Sequence, residues 1–148
     1  MNLINTFLNN KIMTTSITAW FIAQLLKVIF VLISQKKVDF TRLIGSGGMP
    51  SSHSAFVVAL MTSVGKKLGL DSPEFAITFV LAMIVMYDAS GVRQATGQQA
   101  KILNRIIEHW GEDDPKFVEE RLKELIGHTK FEVLVGALLG AAIALIES

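Results

Sequence analysis

Apolar residues gather in four stretches, 17–33, 55–65, 75–87 and 133–146, with polar segments between them. The first, ITAWFIAQLLKVIFVLI, approaches the roughly 20 apolar residues that cross a ~30 Å hydrocarbon layer, although it contains Gln24 and Lys27. The other three, of about 11 to 14 residues, have the length of a buried or re-entrant helix as much as of a span. A helix on the surface of a soluble protein sets polar residues opposite its apolar stripe. FAITFVLAMIVMY and VLVGALLGAAIALI have almost none. That absence favours a membrane bundle over a soluble protein with buried helices. Gly136, Gly140 and Ala144 recur at helical spacing on the last stretch, a pattern that lets a second helix come close and that also arises by chance in an Ala/Gly-rich helix. Lys27 carries an ammonium inside an apolar stretch, so it either snorkels to the interface or faces a polar site.

Between about 97 and 127 the pattern changes to two amphipathic helices. QQAKILNRIIEHW places Leu103, Ile106, Ile107 and Trp110 on one face. PKFVEERLKELI, residues 115–126, places Val118, Leu122, Leu125 and Ile126 on one face, with Asp114 as N-cap, Pro115 at the first helical position and Gly127 just past the end. The pair reads as a helical hairpin outside the apolar bundle, covering a site or resting on the membrane surface. No strand pattern or repeat appears. The expected fold is therefore all-α, one domain over 1–148: a compact bundle of about four hydrophobic helices with a hairpin inserted at about 97–127. MNLINTFLNNKIMTTS lacks the positive region and small-residue cleavage site of a secretory signal, so the chain is expected to be mature from its start.

Composition narrows the chemistry. Of 148 residues, 51% are hydrophobic and only 18% charged, which argues against intrinsic disorder and against an ordinary soluble globule. A net charge of +1 supplies no basic field, so nucleic acid is not an expected partner. With no cysteine, disulfides, thiolate zinc sites and cysteine nucleophiles are excluded.

Three clusters carry candidate chemistry. GGMPSSHS, residues 47–54, is a glycine and proline turn feeding a hydrophobic helix; backbone amides at such a start, beside Ser51 and Ser52, form an anion site. His53 in that first turn is placed to give a proton to a bound anion or its leaving group. The plainer reading is a Ser51 or Ser52 cap followed by an incidental histidine. YDASGVRQATG, residues 87–97, offers Arg93, whose planar fork suits phosphate oxygens, and Asp88, which either orients that arginine or forms a helix-end salt bridge of little consequence. In GHTKFEVLVG, residues 127–136, His128 and Glu132 are four apart and share a helix face. A carboxylate on one imidazole nitrogen leaves the other as nucleophile or base, although such a pair alone is most often a surface contact. If the second, third and fourth stretches each cross the bundle, all three clusters, with Lys36, Lys37 and Arg42, fall on one side. Two histidines, a carboxylate, several cations and a helix N-terminus are the inventory for phosphoryl transfer through a phosphohistidine.

GGMPSSHSA, YDASGVRQATGQQAKILN and GHTKFEVLVGALLG, in that order, resemble blocks of the divergent PAP2 family, also described as acid phosphatase/vanadium-dependent haloperoxidase-related proteins; the resemblance runs from about 20 to 146. Pro50-Ser-Ser-His53 looks like the PSGH block of the wider phosphatidic acid phosphatase superfamily, with serine for glycine. His128 to Glu132 looks like the end of its SR-x5-H-x3-D block, with glutamate for aspartate. The resemblance implies a PAP2/haloperoxidase-like core in which His128 is the nucleophile, Glu132 its orienting carboxylate, His53 the general acid and Arg93 a phosphate ligand. Lys36 and Arg42 would stand for the lysine-arginine block, one residue too close together and with Leu43 where the superfamily has proline. Between Arg93 and His128, 34 residues replace five.

The function implied is a membrane-embedded, metal-independent phosphatase acting on a lipid phosphate monoester or diphosphate, with no cofactor and a membrane lipid or lipid phosphate as partner. The alternative is a catalytically inactive membrane protein of the same bundle that binds phosphate, a lipid head group or, through the hairpin, a protein. A vanadate-using haloperoxidase is a distant third. Ten basic residues on the site side, against Lys11, Lys66 and Lys67 on the other, place site and hairpin in the cytoplasm of a chain integral to the cell membrane.

Overall fold

A computed structural model describes residues 2–36, 48–111, 122, 124 and 126–147. All regular structure among them is α-helix: α1 (Leu3–Leu8), α2 (Lys11–Gln35), α3 (Ser52–Leu68), α4 (Pro73–Ser90), α5 (Val92–Gly111) and α6 (Lys130–Glu147). Local signals set the starts. Asn10 caps α2 by accepting from the Met13 amide, and Ser72 caps α4 by accepting from Phe75, with Pro73 in the first turn. The four apolar stretches become α2, α3, α4 and α6, as expected for an all-α bundle.

α3 lies at the centre, packed on α2, α4 and α6, whereas α5 continues beyond α4 after a break at Gly91 and packs on no other of these helices. Two stretches are long and apolar enough to cross a membrane, Lys11–Ile33 and Pro73–Glu108, the second running through α4 into α5. About four hydrophobic helices were expected; the other two, α3 and α6, have 17 and 18 residues, about 26 and 27 Å at 1.5 Å per residue, slightly less than the ~30 Å layer.

The interior is inverted relative to a water-soluble bundle. The largest fully buried side chains are Lys27, His128, Thr15 and Pro50, with Ser16, Ser51, Ser52, Ser54 and Ser63 beside them. Phe21, Leu25, Ile29 and Phe30 of α2, and Ile77, Phe79, Val80 and Ile84 of α4, face outward. Such a surface is stable against lipid tails, which are as apolar as the side chains they touch.

Small residues then set the spacing of the helices. Ala19, Ala59, Ile143 and Ala144 form one buried cluster, and Val57, Val58 and Ala82 another. α3 and α6 meet closest of all: a Cβ on Gly136 would land on the Ser51 carbonyl oxygen, and one on Gly140 on that of Ala55. The small-residue spacing in the last stretch is thus a close-packing face. At the far end Lys66 of α3 donates to the Leu145 carbonyl of α6 at 3.0 Å. The two helices therefore run parallel, and both present their N-termini at the same end of the bundle.

Candidate active site

Two helix N-termini at one end direct backbone amides and the positive ends of two helix dipoles toward the same region. Ser51 is the α3 cap: its hydroxyl accepts from the Ser54 amide (3.4 Å) and from the Ser54 hydroxyl (3.0 Å). Its own amide donates to the Glu132 carbonyl (3.1 Å), tying the turn before α3 to the first turn of α6. The Ser52 and His53 amides, in the first turn of α3, have no carbonyl one turn back to bond.

α6 starts with a capping box absent from the sequence reading. The Glu132 amide donates to Thr129 Oγ1 (3.2 Å), and Glu132 Oε2 accepts from the Thr129 amide (3.0 Å). The signal was present as Thr-x-x-Glu before an apolar run. The same Oε2 lies 3.2 Å from His128 Nδ1. Glu132 is thereby fixed by the main chain and fixes the imidazole in turn, with the Nδ1 proton toward the carboxylate. The His128 ring is buried, and its Nε2 has no hydrogen-bond partner among the described residues. Burial pushes this imidazole below the ordinary histidine value, with Glu132 pulling the other way and the Lys27 charge adding to the lowering. A neutral ring held by Nδ1 carries its lone pair on Nε2.

His53 faces His128 with ring centroids 6.3 Å apart at an interplanar angle of 63°, close enough for one phosphoryl group to touch both. Its Nδ1 is buried without a hydrogen-bond partner among the described residues. Arg93 Nε bonds Asp88 Oδ2 across the α4–α5 break, and both residues act on His53 through their charge. The three sequence clusters therefore meet.

The cation arriving from α2 differs from the one expected. Lys27, 2% exposed, reaches between the helices and donates to Ser52 Oγ at 3.0 Å. Lys36 is exposed and closes α2 in a left-handed conformation, about 13 Å farther along the helix axis by the 1.5 Å rise. Arg42 and Lys37 lie outside the described residues. Of the two alternatives open for Lys27, snorkelling or facing a polar site, the structure takes the second.

The chain returns to His128 differently from expectation too. Most of the helix expected over 115–126 lies outside the described residues, and the three that are described, Leu122, Glu124 and Ile126, have no helical structure. The Leu122 main chain bonds the Asn104 side chain, so it takes its partners from α5. On α5 itself Leu103 and Ile106 are exposed, whereas Gly97, Ala100 and Asn104 are buried under the returning chain. The packing face is the small one. Trp110 and Asp114 contribute no described side chain.

Between α2, α3 and α4 runs an apolar groove of about 460 Å³, lined by Trp20, His53, Phe56, Val57, Leu81 and Val85. No cluster of three or more His, Asp or Glu side chains suited to a metal ion occurs among the described residues.

The chain is similar to the uncharacterized membrane protein YuiD of Bacillus subtilis (strain 168), with 40% identity over 94% of each chain. No solved structure matches it. The Divergent PAP2 family matches residues 8–143. With its inverted interior and with His53 and His128 gathered at the ends of apolar helices, this chain is a PAP2-like membrane protein and belongs to the Divergent PAP2 family.

Proposed function

We propose that the protein is a metal-independent lipid phosphate phosphatase that works through a phosphohistidine. The observation that carries this reading is the meeting of His128, held by Glu132, with His53 and Lys27 at two helix N-termini. The substrate phosphate sits on the Ser52 and His53 amides with Lys27 and Arg93 neutralising its charge. His128 Nε2 attacks phosphorus in line, the P–O bond to the lipid breaks, and His53 protonates the departing oxygen. Water, deprotonated by His53, then cleaves the P–N bond and releases phosphate. The apolar groove that has His53 in its lining supports a lipid substrate, because a hydrocarbon chain lying there brings its head group to the site from within the bilayer. Lys36 and Arg42 remain the expected partners of the phosphate in the sequence pattern; the buried Lys27 takes that place in this reading.

Purified protein in detergent, with chelator present, should release phosphate from some members of a panel of lipid phosphate monoesters and diphosphates. Binding without turnover across the panel would favour the inactive, ligand-binding alternative. Lys27→Met should weaken competitive inhibition by orthophosphate or vanadate about 10- to 100-fold, the scale of one charge-assisted hydrogen bond. Unchanged inhibition would remove Lys27 from the phosphate site. We also propose four crossings in the cell membrane with the site in the cytoplasm. Tags at Ser148 and within 112–114 should then be accessible from opposite sides, and same-side labelling would refute that topology.

A further inference from the structure

The 34 residues between Arg93 and His128 separate two parts of one site, and the described residues at the end of this segment indicate how the separation is bridged. We propose that Asn104 is a positioning residue for His128: it clasps the returning chain at Leu122, and the chain laid along α5 from there delivers His128 to the site. This rests on the phosphatase reading only for the activity arm of its test.

Asn104 is 4% exposed and uses both ends of its carboxamide. Oδ1 accepts from the Leu122 amide (3.0 Å), while Nδ2 donates to the Leu122 carbonyl (2.9 Å) and to Glu124 Oε1 (2.8 Å). A carboxamide has the donor and acceptor of a peptide unit, so it pairs with Leu122 as a neighbouring strand would. The Leu122 side chain is 44% exposed; the hold is on the main chain.

Contacts then step down the helix. A Cβ on Gly97 would come within 2.6 Å of the Glu124 and Ile126 carbonyl oxygens. Gly127, at φ +91°, lies against the Gln94 backbone, where no side chain fits. The His128 amide donates to the Ala89 carbonyl at 2.8 Å. From the clasp to the site the described main chain is held at each step: the Ile126 amide folds back on the Glu124 carbonyl (3.0 Å), Gly127 lies on α5 and the His128 amide is bonded to the end of α4. Asn104 supplies the first of these fixings, so loss of the clasp loosens the chain that carries His128.

The test uses the full chain in detergent micelles. Asn104→Asp keeps shape and the acceptor for the Leu122 amide, but loses the donor and sets a carboxylate beside Glu124; Asn104→Ala removes both. In both variants the His128 ring titration, followed by NMR of histidine-labelled protein, should move toward the ordinary histidine value as burial and the Glu132 contact loosen. With an active lipid phosphate, kcat should fall about 10- to 100-fold with KM little changed, the scale of an ångström-sized misplacement. Leu103→Gln, on the exposed face of α5, should alter neither. A folded Asn104→Asp protein with wild-type His128 titration would overturn the proposal. If the wild type hydrolyses nothing, the phosphatase reading fails, whereas the titration still decides on Asn104.

Discussion

Replacing His128 by alanine is expected to lower phosphate release by at least about 10⁴-fold, the scale of deleting a covalent nucleophile, without unfolding the protein. The ring is buried, but its side-chain hydrogen bond is to Glu132, which the Thr129 capping box holds independently. The alanine variant should therefore still bind the lipid phosphate. Activity retained within a few-fold would end the phosphohistidine mechanism, however well the histidines are placed. The pH profile gives a second check on the same atom. Attack needs the neutral ring, and burial holds His128 below the ordinary value of about 6.5. The acid limb of the rate should accordingly lie below pH 6.5, with activity falling as pH drops through it. Glu132→Gln removes the carboxylate that favours the protonated ring and should move that limb further toward acid.

Gly140→Leu should cost about 3 kcal/mol or more in a denaturant titration of the detergent-solubilised protein, at the upper end of overpacking effects. The obstacle is main chain: the new Cβ would fall on the Ala55 carbonyl oxygen, and a helix backbone cannot rotate aside as a side chain can. α3 and α6 must part, and the bond from the Ser51 amide to the Glu132 carbonyl parts with them. Activity should fall along with stability. Leu138→Ala, on the outward face of the same helix, removes more atoms than Gly140→Leu adds at its first carbon and should change little. Equal midpoints for Gly140→Leu and the wild type would show that the glycine face is not an interface.

Where a feature depends on neighbours along one helix, the sequence exposes it. The Ser51 cap before His53, the Gly136–Gly140 face and the His128–Glu132 spacing all work at three- and four-residue intervals, which a helical reading detects directly. Features that depend on a distant partner stay hidden. Lys27 is legible as an ammonium among apolar residues, but its assignment needs Ser52, 25 positions away and on another helix. The 115–126 segment has a helical pattern, and its described residue Leu122 departs from it where Asn104 offers different hydrogen bonds. α5 was read by its Leu and Ile stripe, as for a helix in water. Beside a membrane that stripe need not face the protein, and Gly97, Ala100 and Asn104, too small or polar to register as hydrophobic, mark the side that packs.

The inverted interior also bears on how this protein responds to temperature. The large heat-capacity change of unfolding in soluble domains comes from apolar surface meeting water, and it bends their stability into a dome that falls away on cooling. Here Phe21, Ile29, Ile77 and Ile84 already face outward, and helices that separate within a bilayer expose serines, alanines and a lysine to lipid instead of leucines to water. Little apolar hydration changes. The stability of the bundle should vary almost linearly with temperature, governed by hydrogen bonds and close packing, and should show no loss on cooling.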